Sequence, residues 1–296
     1  MKGIGLVFSG GGGKGAYEIG VWKYLHETGL DKSICSISGT SVGALNAALF
    51  AGSNYETAEE IWLNMTSETV FSKRKDGFKK LVEYSSRLAR SLGKITNPFG
   101  RIKDPFDGVF EYYDLMKIGV EQDYIFSREG IRKLISQVVN YSDLQRSKIP
   151  CFATCFNISQ KRVESFKLND YAPSVIDRIL LASSAIPVLF ENVEFKGEKY
   201  CDGGIPKRGD NTPIKPIYSS RTDELEYIIV VYLSRGNHVE KERYPGVKFI
   251  EISPSEDIGK FFDGTIDFKE GSAGRRINLG YENAKTVLSS FAEEFK

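Results

Sequence analysis

Residues 33–49 read Ser33-Ile-Cys-Ser-Ile-Ser-Gly-Thr-Ser-Val-Gly-Ala-Leu-Asn-Ala-Ala-Leu49. A short apolar-alternating run, Ser33–Ser38, stops at Gly39-Thr-Ser41-Val-Gly43. A small, apolar segment, Val42–Ala51, then follows. The first part has the length and alternation of a strand, and the second has the composition of a helix buried against a sheet. Working backwards, Ile4–Phe8 is another strand-sized apolar run. It ends in Gly10-Gly-Gly-Gly-Lys14-Gly15, and Tyr17, Gly20, Val21, Tyr24 and Leu25 after it are spaced like one face of a helix. Strand, glycine-rich turn, helix, strand, sharp turn, helix is the opening of a parallel α/β sheet. The expected fold is therefore α/β, with three layers (α/β/α) around a largely parallel central sheet.

Working forwards, residues 54–65 carry Ala58, Ile61, Trp62 and Met65 on one helical face. The composition then changes. Between 72 and 103 ten basic residues face only Asp76 and Glu83, while Phe78, Leu81, Val82, Leu88, Ala89 and Leu92 keep helical spacing. Residues 73–94 thus read as a basic amphipathic helix, and 66–125 as a cap or lid inserted into one domain spanning 1–296. Beyond it, Ile131–Val139 reads as a helix. Cys151–Ile158 with Arg162–Leu168, and Val193–Lys196 with Glu198–Cys201, read as hairpins. Pro173–Ala185 reads as a helix, Tyr227–Leu233 and Val247–Ile252 as strands, and 275–294 as a closing helix.

The 296 residues are 41% hydrophobic and 27% charged, with a mean hydropathy of −0.27. That composition excludes a disordered chain, a collagen-like repeat and a small disulfide scaffold. The net charge of +1 provides no global attraction to nucleic acid or an acidic membrane. No apolar run approaches the ~18 residues of a membrane-spanning helix, and the first residues lack the pattern of a signal peptide. A cytoplasmic location follows as the expectation. Cys35, Cys151, Cys155 and Cys201 have no metal-ligand spacing and read as reduced thiols.

Gly39-Thr-Ser41-Val-Gly43 matches G-x-S-x-G, in which a strand turns so sharply into a helix that only small residues fit on either side of the serine. The turn holds the serine in a strained conformation with its oxygen at the mouth of the sheet. The Gly10–Gly15 loop admits three readings. A Walker phosphate loop fails because Lys14 is followed by Gly15 and position 8 is Phe. A dinucleotide fingerprint fits formally, but no acidic residue follows the second strand to hold a ribose. An oxyanion hole fits best: consecutive glycines at a helix N-terminus present unpaired N–H groups, with Lys14 adding positive charge nearby. A nucleophilic serine also needs a base. His26 and His238 have no local signature, whereas Asp202-Gly203-Gly204 places an acid at a strand end followed by two glycines.

In this order, the glycine-rich loop, the serine elbow, Leu180-Leu-Ala-Ser-Ser-Ala-Ile-Pro187 and the late Asp-Gly-Gly resemble the patatin-like phospholipase family. The resemblance covers about residues 4–65 and 150–214. It implies hydrolysis of lipid acyl esters by a Ser–Asp dyad with no catalytic histidine, metal or cofactor. Carried across, Ser41 is the nucleophile, Asp202 the base, and the N–H groups around Gly11 and Gly12 the oxyanion hole. Gly39 and Gly43 shape the elbow, and Gly10, Lys14, Gly15, Gly203 and Gly204 support it. One departure is local: the Asn-x-Pro that follows the aspartate closely in the family lies further on here, at Asn211-Thr-Pro213. The resemblance implies a lipid or phospholipid substrate. Residues 73–94 then read as a peripheral membrane contact, with a solvated basic face as the alternative. Nucleic acid is not expected as a partner. The rival readings are a lipid acyltransferase using the same dyad and a catalytically silent lipid- or partner-binding protein.

Overall fold

The computed structural model of the chain describes residues 3–73, 124, 126–187, 189–220 and 225–294. The basic stretch 73–94, Lys73 apart, and almost all of the later part of 66–125 lie outside them. The first half of the fold runs β1 (Gly3–Phe8), α1 (Ala16–Thr28), β2 (Ile34–Thr40), α2 (Val42–Gly52), α3 (Tyr55–Asn64), α4 (Ser67–Val70) and β3 (Ser72–Lys73). After β4 (Phe126–Ser127) come α5 (Glu129–Val138), α6 (Tyr141–Arg146), β5 (Cys151–Asn157), β6 (Arg162–Lys167) and α7 (Pro173–Ser183). The chain closes with β7 (Val193–Phe195), β8 (Glu198–Asp202), α8 (Ile214–Ser219), β9 (Leu225–Val231), β10 (Lys248–Ile252) and α9 (Ser272–Glu294).

The sheet order is β10-β9-β1-β2-β5-β8-β7, with β6 also paired to β5. The β10, β9, β1, β2 and β5 pairings are parallel, and the β6, β7 and β8 pairings antiparallel. The largely parallel sheet and both hairpins agree with the sequence reading. Side chains alternate between two cores, as a period of two demands. Ile4, Leu6 and Phe8 of β1, and Tyr227, Ile229 and Val231 of β9, join the large core under α1, α2 and α9. Val7, Ile228 and Val230 face the other way, onto Ile214 and Ile217 of α8 and Val239. The three layers are unequal: among the described residues, the second face is covered mainly by one short helix and the 232–249 segment.

The pairing along β5 decides where the site forms. β6 pairs with one edge of β5 along its length. On the other edge, Thr40 at the end of β2 lies opposite Thr154, and Asp202 at the end of β8 lies opposite Cys155. β2 runs parallel to β5 and β8 antiparallel, so the two strands lie end to end and their C-terminal ends meet. Ser41 follows one end; Asp202 is the other.

The short β3 and β4 pair antiparallel, with Ser72 opposite Ser127 and Lys73 opposite Phe126. The described residues on either side of the intervening segment are therefore adjacent in the fold.

Candidate active site

The elbow has the geometry its spacing predicts. Ser41 has φ 57° and ψ −125°, a region that costs a non-glycine residue about 1–3 kcal/mol and persists only where the surroundings enforce it. The enforcement is visible on both sides. A side chain at Gly39 would place its Cβ 2.1 Å from the Gly43 carbonyl oxygen, and one at Gly43 would meet the Phe8 carbonyl oxygen at 2.6 Å. The Ser41 N–H donates to Ser183 Oγ at 2.8 Å, and Ser183 in turn donates to the Thr154 carbonyl at 2.7 Å. Ser183 thus ties the strained peptide to β5 from α7. It belongs to the Leu180–Pro187 segment that sequence reading singled out, but its contact with Ser41 was not legible there.

Ser41 and Asp202 are brought together. The Ser41 side chain interacts with the Asp202 carboxylate and favours its charged form, and that carboxylate accepts the Gly204 N–H at 2.7 Å. Both side chains are buried. Burial pushes the Asp202 carboxyl up to about 6, while the neighbouring Ser41 side chain and the Gly204 N–H pull it down by favouring the charged form. Neither histidine joins them. His26 pairs with Asp31 at 2.7 Å and stacks on Tyr55, and His238 is exposed beside Glu251.

Gly12–Gly15 forms a 3-10 turn leading into α1. The Lys14 N–H is consumed by the Gly11 carbonyl and the Gly10 N–H by the Asn211 carbonyl, at 3.3 and 3.0 Å. The N–H groups of Gly11 and Gly12 lie between them in sequence, at the start of the turn, where a helix start leaves donors without intrahelical acceptors. Gly12, with φ 57°, has no room for a side chain: a Cβ there would lie 2.0 Å from the Thr265 carbonyl oxygen. Lys14 folds back over Gly11; burial and the Arg276 charge depress its ammonium, while Asp257 and Asp263 oppose the shift.

The displaced Asn211 resolves the departure noted in the sequence. Its Nδ2 donates to the Gly10 carbonyl at 3.1 Å, and its backbone carbonyl accepts the Gly10 N–H. The longer loop after Asp202 therefore still returns the asparagine to the glycine-rich loop, with Thr40 Oγ1 donating to the Asp210 carbonyl to hold it.

Ser41 and Gly12 line a narrow apolar cleft. Its walls include Val42 and Leu45 of α2, Leu134 and Ile135 of α5, Phe190 and Phe268. Phe71 is packed against Phe126, Phe190 and Phe268, with ring centroids 4.7, 6.0 and 5.7 Å apart. The contributions of α5, Phe190 and 265–268 were not legible in the sequence, where these residues carry only the pattern of a core. Chemically, the arrangement offers a hydroxyl beside a carboxylate, a glycine-rich helix start next to it, and an apolar slot lined by Ser41 and Gly12.

Comparison with known proteins bears on the family and the fold. The chain is 48% identical over 50 residues to the lysophospholipase nte1 of Aspergillus terreus, which is 17% of this chain and 3% of that one. It is 34% identical over 80 residues to a patatin-like phospholipase domain-containing protein of Caenorhabditis elegans, 27% of this chain and 6% of the other. The chain thus matches only a small part of these curated relatives. VipD from Legionella pneumophila has a similar fold, with a TM-score of 0.54 at 19% identity over 98% of this chain and 67% of VipD. The sequence profile of the patatin-like phospholipases matches residues 6–218, from β1 through α8, and so takes in the glycine loop, the elbow and Asp202. By that match the chain belongs to the patatin-like phospholipase family.

Proposed function

We propose that the protein is a serine esterase that hydrolyses lipid acyl esters, of the phospholipase A or lysophospholipase type. One observation carries the reading: the Ser41 side chain sits beside a buried, ionisable carboxylate, that of Asp202, at the mouth of an apolar cleft. In this reading Ser41 Oγ attacks the ester carbonyl while its proton passes to Asp202. The oxyanion of the tetrahedral intermediate is met by the N–H groups of Gly11 and Gly12, with the positive end of the turn into α1 behind them. Collapse expels the lipid alcohol, which takes the proton from Asp202, and leaves an acyl-serine. Water, deprotonated by Asp202, then attacks that ester, and the fatty acid departs as Ser41 recovers its proton.

The Ser41 N–H is already bonded to Ser183, so it is not free to bind the oxyanion. The family membership supports the lipid substrate, and the apolar walls support an acyl chain as the part that enters. The pairing of β3 with β4 beside Phe71 and Phe126 supports 66–125 as a cap on a single domain, rooted at the cleft.

Fluorophosphonate labelling followed by peptide mass spectrometry tests the assignment. The adduct is expected on Ser41, and Asp202→Asn is expected to abolish it together with turnover of lysophospholipid. Labelling elsewhere, or full turnover in Ser41→Ala, would refute the reading.

A further inference from the structure

Residues 219–296 lie beyond the part matched to the family, yet they reach the glycine loop. Arg276, on α9, is almost completely buried. Its Nη1 donates to the Gly13 carbonyl at 3.2 Å and to the Asp267 carbonyl at 3.0 Å. Its Nη2 donates to the Asp267 carboxylate at 2.9 Å and to the carbonyls of Asp263 and Ile258 at 2.8 and 3.3 Å. One guanidinium thus gathers the segment 258–267 and fastens it to the peptide that follows Gly13.

That segment is the back wall of the loop. The Thr265 carbonyl presses on Gly12, and the Asp267 carbonyl lies 2.2 Å from where a Cβ of Gly13 would sit. Thr265, Ile266 and Phe268 also line the cleft beside Ser41 and Gly12. The arginine itself is held by backbone contact between helices: a Cβ on Gly20 would lie 1.9 Å from the Ile277 carbonyl oxygen, and one on Gly280 would lie 2.0 Å from that of Tyr17. α9 therefore sits directly on α1, the helix that the glycine loop begins.

We propose that Arg276 is a positioning residue for catalysis, fixing the orientation of the Gly11–Gly12 N–H donors through Gly13 and the 258–267 segment. The proposal rests on the Ser41–Asp202 reading. Donors aimed at a developing charge act only if they are aimed in advance, and a misplacement of about 1 Å costs up to ~100-fold in rate. Five hydrogen bonds from a planar, permanently charged fork suit that task better than an ammonium could.

The test uses the full chain, with Ser41 titrated by fluorophosphonate so that rates are expressed per competent site. For Arg276→Met, kcat on a soluble short-chain ester is expected to fall about 10- to 100-fold, with KM within about twofold of wild type. The Ki of a trifluoromethyl ketone, which forms a tetrahedral oxyanion with the serine, is expected to rise by the same factor. Arg276→Lys, which keeps the charge but loses the fork, and Asp267→Asn are expected to fall between the two. These two milder variants carry the test if Arg276→Met does not fold. An unchanged kcat and Ki per labelled site, with only a lower melting temperature, would overturn the proposal and leave Arg276 a purely structural residue. A wild-type protein whose Ser41 does not label would instead overturn the hydrolase reading on which the proposal stands.

Discussion

To take a proton from Ser41, Asp202 has to be ionised, and burial works against that by raising its carboxyl to about 6. The proposed chemistry should therefore weaken as pH falls through 6, giving an acidic limb in kcat/KM for a neutral ester; a profile flat to pH 4 would argue against Asp202 as base. The same shift has a consequence for stability. The folded state keeps this proton to a higher pH than the unfolded chain does, so folding loses stability as pH rises from about 4 to about 6. Above that the penalty is fully present, at about 3 kcal/mol on an order-of-magnitude reckoning. Asp202→Asn never ionises and can still accept the Gly204 hydrogen bond. It is expected to be inactive yet more stable than wild type at pH 7 by about 1–3 kcal/mol, an advantage that disappears at pH 4. Thermal unfolding at the two pH values measures it. Ser183 is the next most exposed to test. Ser183→Ala leaves the buried Ser41 N–H and Thr154 carbonyl without these partners, so a loss of about 1–3 kcal/mol in stability is expected. A fall in kcat should accompany it as the elbow relaxes. The candidates Ser41 and Asp202 could be named from the sequence, Ser41 because its G-x-S-x-G spacing reflects a local backbone demand and Asp202 because the order of motifs resembles the patatin-like family. The partners Ser183 and Asn211 could not be assigned, because their contacts with Ser41 and Gly10 span 142 and 201 positions of chain.

At the scale of elements, α1, α2 and α3 are joined beneath the glycine loop by a buried polar network. Asn46 Nδ2 donates to Glu18 Oε2 at 2.7 Å and to the Gly15 carbonyl at 3.1 Å, while Trp62 Nε1 donates to Asn46 Oδ1 at 2.8 Å. Burial holds the Glu18 carboxyl well above the usual carboxylate range. Removing one donor from such a network leaves its acceptor stranded rather than merely unpaired. Trp62→Phe is expected to cost about 2–4 kcal/mol, combining the stranded Asn46 oxygen with the lost ring volume. Denaturant unfolding would show it, and a loss under 1 kcal/mol would mean that Asn46 finds another donor. The parallel strands and their helices were legible because their periodicity is strong over whole elements. The π turn at Phe261–Thr265, the short α6 and α8, and the contact between α9 and the glycine loop were not. Their residues carry no period, and their conformation is set by what they pack against.

For the molecule as a whole, the part that matches the family stops before β9, β10 and α9. Yet β9 pairs along β1, and α9 buries Ile277, Ala284, Leu288 and Ala292 in the large core. A fragment of residues 1–218 keeps Ser41 and Asp202 but exposes one whole edge of β1, a hazard for aggregation. It is expected to be insoluble or unfolded, and a soluble fragment with a cooperative transition would contradict this account. The end-to-end meeting of β2 and β8 along β5 also has a meaning in time. Synthesis delivers the nucleophile early and its proposed base only after more than half of the chain has followed, an interval on the order of ten seconds at ordinary elongation rates. The arginine that braces the glycine loop arrives later still. On the roles proposed here, a nascent chain that has not yet formed β8 carries no working esterase: the order of its strands acts as a delay, and activity begins only once the strand that bears the proposed base has been made.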